Sequence, residues 1–235
     1  DITYQSASEN AEFARQTLAR LADIPDDQLV HEDWLTWQML RRHAQQQVEE
    51  LPYYWLSFEV TPYRAGFQLS SLTTLLPSLD LAQASERDRF FYLLNEYAAL
   101  VEQMQRKLEG QAERGIYLPQ PAIAAVVGMF KAYRDGLHNL LPEQSAKLAD
   151  LDQATKTALL NQFKLRVNGK VKPAFDQLID YLGPSYLNKA PATVGLHQYP
   201  QGKDYYRYLL QKYTVSGETP ERIFAYGQQR VAEIA

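Results

Sequence analysis

The sequence predicts an all-α fold, an irregular multi-helix array or bundle with long loops and little or no sheet. Three observations carry this. Apolar residues recur at alternating spacings of three and four, the period of a helix that buries one face. Prolines, glycines and small polar residues bracket those stretches where helices start and stop. Candidate strand material is confined to residues 53–63, aromatic and β-branched between Pro52 and Pro62. That segment reads as a short extended piece or a loop laid over the core.

Residues 6–23 form the first helix, with Phe13, Leu18 and Leu21 apolar and Ser6 or Ser8 as its cap. A second opens at Pro25-Asp26-Asp27, carries Leu29, Trp34, Trp37, Leu40 and Val48 on one face, and ends at Pro52. In the next, Ser85 and Asp88 make a Ser-x-x-acid capping box. Phe90, Leu94, Tyr97, Val101, Met104 and Leu108 then form one continuous seam. A seam of this kind is core-facing. Gly110 and Gly115 break it, and Pro119 and Pro121 start a helix with Ile123, Val126, Val127, Phe130 and Tyr133.

From about Glu143 to Leu182 the pattern is helical, weakened at Gly169 and Pro173, where a kink or break is expected. Gly183-Pro184 ends it. A loop follows from Ser185 to Gln201, then a tyrosine-rich helix over 203–213. The last helix has Thr219 as N-cap, Pro220 as its first residue and Glu221 in its first turn. Its apolar face, Ile223, Tyr226 or Gly227, Val231 and Ile234, is expected to be poorly anchored. Asp1 is not Met and the last residues lie inside a helical pattern, so the chain reads as trimmed and cut mid-element. A soft boundary near Gly183 divides residues 1–183, a helical domain, from 184–235, a tyrosine-rich loop and the start of a second helical region.

Composition narrows the function. Apolar residues are 46% and charged residues 22%, an ordinary globular balance. Net charge is −4, and the best basic stripe, Lys164, Arg166, Lys170 and Lys172, is short and interrupted, so no nucleic-acid partner is expected. Nothing approaches a membrane span or a signal peptide. Without cysteine there is no disulfide, thiolate zinc site or cysteine nucleophile. The four histidines, His31, His43, His138 and His197, never stand four residues apart, and His31-Glu32 fails as HExxH because position 35 is Leu35. Nucleophile elbows and phosphate loops are missing too; Ser216-Gly217 reads as a plain turn. The chain is expected to hold no cofactor and catalyse nothing alone.

One feature stands out. Seven tyrosines fall within residues 181–213: Tyr181, Tyr186, Tyr199, Tyr205, Tyr206, Tyr208 and Tyr213. Tyr205, Tyr206 and Tyr208 cannot share one helix face, so some pack inward and others meet ligand, another domain or water. Gly195, Tyr205 and Tyr206 are the candidate substrate-binding residues. The segment from Ala190 to Tyr206 is expected at the surface, lining a concavity.

The tail also carries a resemblance. Gly195-Leu196, Pro200, Gly202, Tyr205-Tyr206, Leu209-Leu210, Thr214, Thr219-Pro220-Glu221, Ile223, Gly227 and Val231 resemble a signature of the bacterial domain-of-unknown-function family 885. Leu108, Gly110, Gly115-Ile116 and Pro119 are similar to that family's helix–turn–helix joint, and the helix ending at Tyr181-Leu182 to the segment before its Gly-Leu loop. Phe224 stands where the family often has histidine. The resemblance implies a largely helical protein considerably longer than this chain, with an HExxH zinc motif in its second half, grouped with metallopeptidases. This chain would then be a non-catalytic amino-terminal part forming one wall of a substrate cleft. Zinc would be expected only in the full-length protein. Its partners would be the carboxy-terminal half and a peptide substrate, in a periplasmic or secreted setting. The alternative is a free-standing helical binding or scaffold domain.

Overall fold

The computed structural model describes residues 1–142, 145–214 and 217–234, with the side chain of Lys147 set aside. Among the described residues every regular element is helical. The principal helices are α1 (Tyr4–Ala22), α2 (His31–Glu50), α3 (Arg64–Leu75), α4 (Ala84–Ala112), α5 (Gln120–Asp135), α6 (Gln153–Arg166), α7 (Lys172–Tyr181), the short α8 (Pro184–Leu187), α9 (Gly202–Thr214) and α10 (Pro220–Ile234). The all-α expectation holds. Residues 53–63 form no strand: Leu51–Leu56 are a 3-10 helix, which Pro52 suits because an early helical position needs no N–H, and 57–63 are irregular.

Contacts divide the chain into two compact units that do not follow sequence order. One holds Asp1–Thr3 and Phe58–Thr193, the other Tyr4–Ser57 and Val194–Ala235. The boundary drawn near Gly183 falls inside the first unit.

The first unit is built around α4. All six seam residues, Phe90 to Leu108, are fully buried, in a core to which α3, α6 and α7 also contribute. The fully buried Phe175 of α7 meets Tyr97 edge-on at 5.5 Å and Phe130 of α5 at 6.0 Å. The Ser85–Asp88 box does not form: α4 starts at Ala84 after Gln83, without a side-chain cap. At the other end Gly115 adopts φ 70°, and Ile116 N–H reaches back to the Gln111 carbonyl at 2.9 Å. That six-residue closure is the Schellman cap, and it needs glycine. Gly110 stays inside the helix. The joint then docks on the segment after α7, as Tyr186 accepts the Leu118 N–H (2.9 Å) and Gln120 N–H donates to the Pro191 carbonyl (2.9 Å).

Glu143 lies outside the described residues, and the long helix assigned from there begins at Gln153. Asp152 caps it, accepting from the Thr155 N–H at 2.9 Å and the Thr155 hydroxyl at 2.6 Å. The Thr155 hydroxyl first, then its N–H, hold the Asp152 carboxyl below the usual carboxylate range. A depressed carboxylate stabilises the fold above its unfolded pKa and stops doing so as pH falls through its folded one. Asp152→Ala should therefore lower the melting temperature by a few degrees at pH 7, with the gap to the parent closing in acid. An equal gap at pH 7 and pH 2.5 would refute the cap assignment. The expected weak point at Gly169 and Pro173 is neither a simple kink nor a break. The helix widens into a π turn at Val167–Val171, and Pro173 falls in the first turn of α7.

In the second unit, α1 and α2 pack along each other through small residues. Ala11, Ala14 and Leu21 of α1 are buried with Trp37 and Ala44 of α2, and the Trp37 indole donates to the Leu21 carbonyl at 3.0 Å. Phe13, at 68% exposure, and Leu40, at 49%, lie outside the contact, which corrects the faces read for these helices. Alanine lets the backbones approach, so a bulky residue one position away is left on the flank. Two helix starts differ as well. Helix α1 begins at Tyr4, ahead of both serines, and α2 begins at His31, since Asp26–Gln28 form a separate 3-10 turn.

Candidate functional site

Helix α9 sorts its tyrosines by face. Tyr205 and Tyr208, three residues apart, point inward and are buried. Tyr53, in the 3-10 helix after α2, stacks on both, at 5.1 Å from Tyr205 and 5.5 Å from Tyr208. The Tyr208 hydroxyl donates to the Gln46 carbonyl at 2.9 Å, and Lys212 Nζ meets Glu50 Oε2 at 2.7 Å. Burial first, then Glu50 and Glu49, push the Tyr208 phenol above its ordinary value. Tyr206 points the other way, half exposed.

The turn before α9 is set by glycine. Gly195 has φ 109°, open only to glycine, and a Cβ there would lie 2.9 Å from His197 Nδ1. Gln201 is forced to φ 59° as the chain turns into α9. Gly202 is tighter still, because a Cβ on it would sit 1.7 Å from the Leu196 carbonyl oxygen. The loop is thus closed onto the first residue of α9. It is not wholly at the surface: Ala190, Tyr199 and Tyr205 are each under a tenth exposed. Burial raises the Tyr199 phenol to about 12.

What the turn creates is a hollow of about 430 Å³, lined by Gly195, Leu196, His197, Lys203, Tyr206, Arg207, Pro220 and Glu221. Of the three candidate residues, Gly195 and Tyr206 meet at this hollow. Tyr205 is in the stack instead. Both signs of charge line it, and Arg207 is paired with Asp204 at 3.0 Å on the outer face of α9. Glu221 sits in the first turn of α10, where the helix dipole favours a carboxylate. The Thr219 hydroxyl caps that turn, accepting the Arg222 N–H at 3.3 Å.

The family model described as bacterial protein of unknown function (DUF885) matches residues 1–235. The chain belongs to the DUF885 family. No curated protein and no solved structure matches it. Five of the eight residues around the hollow of this DUF885 chain, Gly195, Leu196, Tyr206, Pro220 and Glu221, are positions of the family-like tail signature. They come from three separate stretches of sequence, and the fold gathers them in one place.

Neither His43 nor His138 of the DUF885 chain is among the residues that line this hollow. His43 Nε2 is 3.0 Å from Gln47 Nε2, and His138 Nδ1 donates to the Asp135 carbonyl at 2.8 Å. Among the described residues no three His, Asp or Glu side chains come together as a metal site, and no helix is long and apolar enough to cross a membrane. Ser216 lies outside the described residues. Helix α10 buries nothing: Phe224, Tyr226, Val231 and Ile234 are each more than 60% exposed. Sequence reasoning missed Lys107, buried on α4 at 2% exposure, although it follows the seam residue Met104 by three positions.

Proposed function

We propose that this chain supplies a non-catalytic wall of the substrate cleft of a zinc-dependent, metallopeptidase-like hydrolase, and that the Gly195–Tyr206 hollow is that wall. The observation that carries the reading is the convergence of the signature residues on one concave surface. A hollow of this size, with an exposed phenol and charges of both signs, suits a segment of peptide. The Tyr206 hydroxyl can donate to a peptide carbonyl or accept a peptide N–H. The chain's described side chains do not make a zinc site, so no step at the metal is assigned to them. Their part is to bind and orient. The metal would be held by the carboxy-terminal half, and the periplasmic or secreted setting belongs to the same proposal.

The test is Tyr206→Phe in the full-length protein, assayed for hydrolysis of a peptide library and for melting temperature. Loss of one hydrogen bond to a bound peptide should lower kcat/KM about tenfold. The melting temperature should not move, since the residue is half exposed. Tyr205→Phe keeps the ring in its stack and serves as the comparison; its effect on turnover should be smaller. Unchanged turnover in Tyr206→Phe would retire the cleft role.

A further inference from the structure

Helices α9 and α10 carry eight charged residues between them, and six are paired. Asp204 holds Arg207 at 3.0 Å, Lys212 meets Glu50 at 2.7 Å, and Arg222 meets Glu218 at 3.0 Å. Arg230 pairs with Glu233. The two left over are Lys203 and Glu221. Among the described residues neither side chain makes an ion pair or a hydrogen bond, with the other or with anything else. Both line the tyrosine hollow.

They reach it from different elements. Lys203 is the second residue of α9, and Tyr206, three positions on, follows it on the same face. Glu221 is the second residue of α10. Leu196 and Pro220 supply half-buried apolar lining. The Tyr206 hydroxyl has no hydrogen-bond partner among the described residues either. One hollow therefore offers donors for an anion, acceptors for a cation, and a phenol that can do both.

We infer that the hollow holds a di- or tripeptide with both ends free, its terminal ammonium on Glu221, its terminal carboxylate on Lys203 and its backbone on the Tyr206 hydroxyl. This rests on the reading of the hollow as a peptide-binding wall, and it names the peptide as a short zwitterion. Two opposite charges that do not satisfy each other select a ligand that carries both signs. The volume of about 430 Å³ lies toward the small end of ligand sites. A long peptide could bring only one of its ends there. Leu196 and Pro220 suit small apolar side chains.

Calorimetric titration of the chain at low salt with trialanine, beside its N-acetylated, C-amidated and doubly blocked forms, is the test. Free trialanine should bind one to one. Blocking either end should weaken it about fivefold, the order that one exposed ion pair contributes. Glu221→Gln should weaken the free peptide by the same factor and leave the N-acetylated one unaffected. Lys203→Met should likewise weaken the free peptide and spare the C-amidated one. Both positions are exposed, and circular dichroism reports whether the helices are intact. Doubly blocked trialanine binding as tightly as the free peptide would overturn end recognition and leave the peptide wall standing. So would parent-like affinity for free trialanine in either folded variant. Failure of every form to bind would remove this inference, whereas the wall itself falls with unchanged turnover in Tyr206→Phe.

Discussion

Replacing Gly202 by alanine should destabilise the second unit by about 3 kcal/mol, the upper end of what forced overpacking costs. The added methyl would sit 1.7 Å from the Leu196 carbonyl oxygen, which is backbone and cannot swing away. Relief requires the turn from Gly195 to Gln201 to lift off α9, and that turn is the wall of the tyrosine hollow. The same substitution at Gly128 is the control. Gly128 lies inside α5, and nothing is within 4 Å of its would-be Cβ. There alanine should stabilise by up to about 1 kcal/mol, through helix propensity and a smaller unfolded-state entropy. Urea unfolding of the two variants reads both signs. Equal midpoints would mean that the loop closure onto α9 is wrong.

The second large effect is a pH dependence seated at Lys107. Burial pulls its ammonium down to about 7, Glu59 draws it back up, and Arg64 adds to the depression. Arg64 and Glu59 themselves form an ion pair at 3.1 Å. An unfolded lysine keeps its proton to about pH 10.4. Between pH 7 and that value the unfolded chain therefore binds more protons, and stability rises with pH. Below pH 7 both states are protonated and the burial penalty is felt in full. From pH 6 to pH 9 the change amounts to about two pH units at ~1.4 kcal/mol each, or roughly 3 kcal/mol. Lys107→Met removes the titrating group while keeping a long side chain. Its stability advantage over the parent should be largest at pH 6 and should shrink by roughly that amount by pH 9. Parallel pH profiles for parent and variant would exclude Lys107 as the source.

The helices themselves were legible along the chain. The α4 seam from Phe90 to Leu108, the Thr219-Pro220-Glu221 start of α10 and the weak point around Gly169 depend on neighbours three or four residues apart, which sequence displays directly. The tyrosine argument was legible up to its last step. Helical spacing shows that Tyr205, Tyr206 and Tyr208 must divide between faces. It does not say which face meets Tyr53, about 150 positions earlier in the chain.

By itself, then, the sequence determined the all-α class, most of the helices and the membership in the DUF885 family. Each follows from local period, local caps or a pattern of residues read in order. Tertiary structure alone decided the rest. It alone placed Tyr4–Ser57 with Val194–Ala235, because contacts between distant segments leave no periodic trace. The gathering of Gly195, Tyr206 and Glu221 at one hollow was likewise invisible along the chain. So was the π turn at Val167–Val171, whose five-residue spacing brings the Lys172 N–H to the Val167 carbonyl, where a regular helix would have used Val171.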